Sequence, residues 1–285
     1  GRSHGHQWAV LLAANNVTRT SIATRLPLPK RFLATSPIAL RISLSSMGRS
    51  DESGVVLWDF DGTLAWREGL WRSALVSALD EVSPGHGITG DMLRPGLEDG
   101  FPWHRPDIAH PHLATSGLWW AHLVPVFESA YRRVGVDEEI ASIAARLVSR
   151  IYSDPLHWSV YSDTLPALRR VRAAGWRNVI LSNHVPELPR LIEDVKLHIL
   201  VDDVITSAAS GFEKPNREVF RTALDRLGRP RNVWMVGDNP IADIAGAKAI
   251  GIRSLLVRTP DRDGTSRTLM HAIDIILHAS PQDEP

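Results

Sequence analysis

The residues best placed to do chemistry are Asp59 and Asp61, which close the run Val55-Val56-Leu57-Trp58-Asp59-Phe60-Asp61-Gly62-Thr63-Leu64. In an extended chain residues i and i+2 face the same way, so the two carboxylates leave the end of the run side by side. At that spacing they repel each other and invite a divalent cation or a shared proton. Gly62 lets the backbone bend sharply, turning the next amides and the Thr63 hydroxyl toward whatever sits above, a cradle for an anion. Asp-Gly is also a common surface turn, so this reading needs partners elsewhere in the chain.

Three further polar clusters follow apolar runs. Ser182-Asn183 ends the first; alone, it would serve as a polar helix cap before Pro186. Lys214 stands in Gly211-Phe212-Glu213-Lys214-Pro215, where an exposed helix-entry lysine is the plain alternative. Lysine is scarce, however, occurring only at 30, 196, 214 and 248. Gly237-Asp238-Asn239-Pro240-Ile241-Ala242-Asp243 is the third, and its acids could equally cap and face a helix start.

These side chains must be positioned, and the pattern around them says by what. Residues 55–58, short, apolar and preceded by Gly54, read as a buried parallel strand. Further strands are expected near 178–181, 201–206, 233–236 and 252–257. They alternate with helices over 163–174, capped by Asp163, and over 186–195, 216–227 and 241–249. Strands alternating with helices through short connections make an α/β fold, a doubly wound parallel sheet covered on both faces. Its ligands belong at the carboxyl ends of the strands, where every cluster above falls.

Residues 66–159 have a different character. Apolar spacing predicts a helix over 69–82, then a Gly- and Pro-rich irregular stretch over 83–117, then helices over 118–134 and 137–153 with Asp137 as N-cap. The expected division is a core from 49–65 and 160–260, a helical insertion at 66–159, and a tail at 261–285 with a peripheral helix near 267–278. The insertion holds six of the ten tryptophans. Within its irregular loop Trp103, His104 and Arg105 are the candidates for substrate contact; His110 and His112 lack a third partner for a metal.

Composition narrows the classes. A 285-residue chain with 44% hydrophobic residues can bury a sizeable core, and no apolar run approaches a membrane span. With no cysteine there are no disulfides, thiolate catalysis or Cys-based zinc sites; a reducing, cytoplasmic setting fits. Residues 1–50 hold seven basic and no acidic side chains, leaving 25 basic against 32 acidic in the remainder. An acidic body argues against nucleic acid as the main partner. Residues 1–48 are set aside as a leader, tag or disordered extension: the opening Gly-Arg-Ser-His-Gly-His looks like a cloning remnant, Met47 is an alternative start, and an organelle transit peptide is the competing account.

The four clusters, in this order, resemble the motifs of the haloacid dehalogenase-like hydrolase superfamily over residues 54–258. The resemblance implies a Rossmann-like core with a helical cap inserted after the first motif, and Mg²⁺ held by Asp59, the Asp61 backbone carbonyl and Asp238. It makes Asp59 the nucleophile, Asp61 the general acid and base, and Lys214 the counter-charge. Thr63, Ser182 and Asn183 would face the transferred phosphate, and Asp243 would act from behind the metal. Glu213 replaces the usual Arg or Tyr before the lysine. Dehalogenases of the family lack the second Asp, and phosphonate hydrolases need a cap lysine, whereas residues 66–160 contain none. The implied activity is hydrolysis of a small phosphorylated metabolite by a monomer or homodimer. A phosphomutase and a non-catalytic binding protein on the same fold are the alternatives.

Overall fold

The computed structural model describes residues 54–260 and 266–279. The expectations for residues 1–48 and for the end of the tail lie outside them.

Strand β1 (Val55–Trp58) is wholly buried because both of its faces are covered. Val56 and Trp58 join one apolar cluster and Val55 and Leu57 the other, as the two-residue side-chain period of a strand requires. It lies at the centre of a five-stranded parallel sheet of order β5-β4-β1-β6-β7, with β4 (Arg177–Ser182), β5 (Asp203–Thr206), β6 (Val233–Gly237) and β7 (Arg253–Leu256). The buried Trp58 indole donates to Asn178 Oδ1 at 3.0 Å, and Asn178 Nδ2 donates to the carbonyls of Leu168 and Leu200. A buried amide with its partners met ties β1 to β4 and to the layer above them.

Helices α1 (Leu70–Val82), α3 (Ser116–Arg133) and α4 (Glu138–Tyr152) pack together as the insertion, with the one-turn α2 (Gly90–Leu93) and three 3₁₀ turns between α1 and α3. Asp137 Oδ1 accepts from the Glu139 amide, the expected cap of α4. The 83–117 stretch is therefore more structured than its glycines and prolines suggested: Pro102 and Pro111 each begin a 3₁₀ turn whose fixed φ they supply.

The sequence pattern missed a two-stranded antiparallel ribbon where the insertion meets the core, β2 (Ala65–Arg67) against β3 (Trp158–Val160). Three residues are too short for any period to show.

The core helices are α5 (Thr164–Ala173), α6 (Leu188–Asp194), the one-turn α7 (Ser207–Ser210), α8 (Arg217–Arg226), the short α9 (Gly246–Lys248) and α10 (Leu269–His278), the last packed on α5. Two local expectations fail. Asp163 precedes α5 but makes no side-chain cap: its carboxylate takes Arg258 Nη2 at 2.6 Å and the Leu269 amide at 3.0 Å, tying α5 to the tail helix. The expected helix over 241–249 opens as a π-turn, Pro240–Ala245, where the Asn239 side chain accepts from the Ile241 and Ala242 amides and widens the first turn.

Candidate active site

Asp59 leaves the end of β1, Ser182 ends β4, and Asp238 follows β6, so the flanking parallel strands deliver their polar ends to one edge of the sheet. Lys214 reaches the same point from the loop before α8. Its ammonium donates to Asp59 Oδ1 at 2.8 Å and to Asp243 Oδ1 at 2.5 Å, and the side chain is almost entirely enclosed. Ser182 Oγ donates to the same Asp59 oxygen at 2.7 Å, and Thr63 Oγ1 donates to Asp238 Oδ1 at 3.2 Å.

Two glycines make this crowding possible. A Cβ on Gly62, at φ +81°, would lie 2.4 Å from Asp238 Oδ2, and one on Gly237 would lie 2.1 Å from Asp243 Oδ2. Side chains at these positions would evict the carboxylates.

Asn183 borders the cleft, but its side chain is spent on the lysine loop. Its Oδ1 accepts the Lys214 amide at 2.7 Å and its Nδ2 donates to the Lys214 carbonyl at 2.9 Å. The contact expected of Asn183, through its backbone amide, does not call on this side chain.

A cleft of about 600 Å³ opens over these groups, within the range that small-molecule sites occupy. Asp59, Asp61, Ser182, Asn183, Lys214, Asp238 and Asp243 all border it. Of the three loop candidates only Trp103 does so. Arg105 instead faces Asp99 at 3.6 Å, and the exposed His104 packs edge-on against Phe101. Adjacency in sequence misled there, because a 3₁₀ turn over Pro102–His104 points successive side chains different ways.

Carboxylate oxygens of Asp59, Asp238 and Asp243 come within 4.8 Å of one another, an all-oxygen donor set that suits a hard divalent cation. Asp243 enters this group unexpectedly, while the Asp61 carboxylate stands outside it. Both Asp243 oxygens already have partners, Lys214 and the Asn239 amide, so its service to an ion competes with those bonds.

Burial, then repulsion from Asp59 and Asp238, pushes the Asp61 carboxyl up to about 8. Burial and Asp59 push Asp238 up to about 7. Burial alone would lower the Lys214 ammonium, but Asp243 and Asp59 more than offset it and hold it above its ordinary value.

His184 and Tyr152, neither of them singled out from sequence, also border the cleft. His184 follows Ser182-Asn183 directly, which was the available signal; nothing local marks Tyr152, the last residue of α4.

A doubly covered parallel sheet carrying a carboxylate-rich cleft at its carboxyl edge, beside a helical insertion, is the architecture of a Rossmann-like α/β hydrolase. More narrowly, the chain belongs to the haloacid dehalogenase-like hydrolase family, whose profile matches residues 54–251. It is 29% identical over 245 residues to the human haloacid dehalogenase-like hydrolase domain-containing protein 3, covering 80% of this chain and 92% of that one. It is 30% identical over 135 residues to a glyceraldehyde 3-phosphate phosphatase of Methanopyrus kandleri, covering 46% and 58%. A solved HAD phosphatase from Thermococcus onnurineus superposes with a TM-score of 0.54 at 25% identity, over 79% of this chain and 97% of that one. Among the described residues no helix is long and apolar enough to cross a membrane.

Proposed function

We propose that the protein is a Mg²⁺-dependent phosphomonoester hydrolase that passes the phosphoryl group through Asp59. The observation that carries this reading is Asp61. Its carboxyl lies two residues beyond Asp59, accepts no hydrogen bond among the described residues, and is pushed up to about 8. In the metal-free protein burial and the neighbouring carboxylates favour its protonated form, and an alkoxide leaving group needs a proton where a halide does not.

Asp59, held by Ser182 and Lys214 through one oxygen, presents the other to the cleft as nucleophile. Lys214 offers counter-charge to Asp59 and to equatorial phosphoryl oxygens. Asp61 protonates the leaving oxygen and then takes a proton from the water that releases phosphate from Asp59. Asp59 and Asp238, with the Asp61 carbonyl, would hold Mg²⁺, which when bound supplies charge against the phosphate oxygens. Asp243 and Asn183 position Lys214. The helical insertion serves as the cap from which specificity is read. The phosphatase name of the Methanopyrus relative supports the same reaction class.

Phosphate release from 4-nitrophenyl phosphate should be abolished by Asp59→Asn and by EDTA, and restored in the second case by Mg²⁺. Turnover surviving either treatment overturns the mechanism, and phosphate returned to the substrate rather than released would identify a mutase.

A further inference from the structure

The two sides of the cleft are chemically unlike. Toward the sheet stand Asp59, Asp61, Asp238 and Asp243 against a single ammonium, Lys214, already bonded to two of them. Even with a divalent cation added, that side is neutral or negative before a phosphate dianion arrives. It has no positive charge to spare for a second anion on the substrate.

The opposite side does not supply one either. Residues 66–159 contain eight arginines and no lysine, yet none of them borders this cleft. Arg67 donates to the carbonyls of Ile151 and Tyr152, Arg72 pairs with Asp91, and Arg150 pairs with Glu81. The wall is instead Leu70, Trp71, Trp103 and Tyr152, with Ile241, 66% exposed, at the mouth.

These rings are fixed before any ligand arrives. Trp71 lies flat on Tyr152, centroids 3.9 Å apart and planes 8° from parallel, and Trp103 stacks on Phe101 at 4.4 Å. A preformed aromatic wall costs little entropy when a flat group is laid against it. His184 borders the same cleft, is 3% exposed, and its Nε2 has no hydrogen-bond partner among the described residues. A buried, unpartnered ring nitrogen is a standing cost that a polar atom of a ligand can relieve.

Resting on the phosphomonoesterase reading, we propose that the substrate's leaving group is an uncharged alcohol bearing a heteroaromatic ring, of the kind a nucleoside 5′-monophosphate carries. The ring lies along Trp71 and Trp103 with a polar edge toward His184. Alcohols bearing a carboxylate or a second phosphate are disfavoured by the acidic floor.

The test compares kcat/KM for phosphate release from thymidine 5′-monophosphate, glycerol 3-phosphate and 3-phosphoglycerate, with 4-nitrophenyl phosphate as control. Thymidine monophosphate should exceed glycerol 3-phosphate by about tenfold, the worth of one stacked base, and 3-phosphoglycerate by more. Trp103→Ala should erase most of the first ratio and Trp103→Phe restore it. Ile241→Arg, on an exposed site, should improve 3-phosphoglycerate relative to thymidine monophosphate. A phosphate ester whose alcohol bears a carboxylate, matching or beating the nucleotide while the control is turned over, overturns the inference alone. No release from any ester, the control included, overturns the phosphomonoesterase reading and the inference with it.

Discussion

The role proposed for Asp61 works against the stability of the fold. An ordinary Asp has its carboxyl near 3.8, and this one is pushed to about 8 by burial and by Asp59 and Asp238. The folded chain therefore holds this proton more tightly than the unfolded one. The group's stabilising contribution is whole below the unfolded value and is lost as pH rises from about 4 through about 8. Asp61→Asn removes the charged form altogether. In EDTA it should raise the melting temperature relative to wild type at pH 8, by the equivalent of about 2 kcal/mol once partial exposure is discounted, and change it little near pH 4. A thermal scan across that range reads the difference, and a gain that ignores pH would sink the account. The same variant should lose about 10²–10⁴ in kcat on alkyl phosphates, with a smaller loss on an aryl phosphate whose phenolate leaves unprotonated. This carboxylate pair was legible in the sequence because its chemistry is local, set by two-residue spacing at a strand end. The use of Asn183 was not, because its partners lie 31 residues away in the lysine loop.

Among the elements, the lysine loop shows how the irregular part of the insertion is tied to the core. His110 Nε2 lies 3.1 Å from Glu213 Oε1, both side chains are buried, and neither makes a side-chain hydrogen bond among the described residues, so each is the other's nearest polar partner. The His110 amide donates to the Gly211 carbonyl at 2.8 Å and Asn216 Nδ2 to the Pro106 carbonyl at 2.9 Å. Glu213, the departure from the family pattern, thus faces away from the cleft toward the loop that carries Trp103. Removing one member of a buried pair strands the other, at a cost of about 3 kcal/mol, whereas replacing both with apolar groups of similar size costs little. Urea denaturation of Glu213→Ala should show that loss, and the double variant Glu213→Leu with His110→Phe should recover most of it. A double variant no more stable than the single one would show that the pair is not what joins the loops. Sequence periodicity marked the long helices on either side, since α1, α3 and α4 each bury a stripe. It could not mark this contact, or the ribbon of β2 and β3, whose pairings span about the whole insertion.

For the molecule as a whole, strand order decides that segments near residues 59, 182 and 238 meet at all. Alternation of strand and helix implies a parallel sheet, but only the observed order, with β1 between β4 and β6, places Asp59 between Ser182 and Asp238. The sheet so built concentrates like charges, and burial followed by Asp59 holds the Asp238 carboxyl up at about 7, just as Asp61 is held near 8. Both shifts are of the raised-acid kind, so the metal-free protein should lose stability as pH rises from about 4 to about 8. A divalent cation that binds only the folded chain reverses this, contributing about 2.7 kcal/mol at a hundred times its Kd. For a domain of this size that is roughly 5–10 °C in melting temperature. Mg²⁺ should therefore raise the melting temperature at pH 8 by several degrees and at pH 5.5 by less, because protons then compete for the same oxygens. Asp238→Asn should melt higher than wild type in EDTA and lose the Mg²⁺ increment. An equal increment in variant and wild type would place the cation somewhere other than the Asp59–Asp238 edge of the sheet.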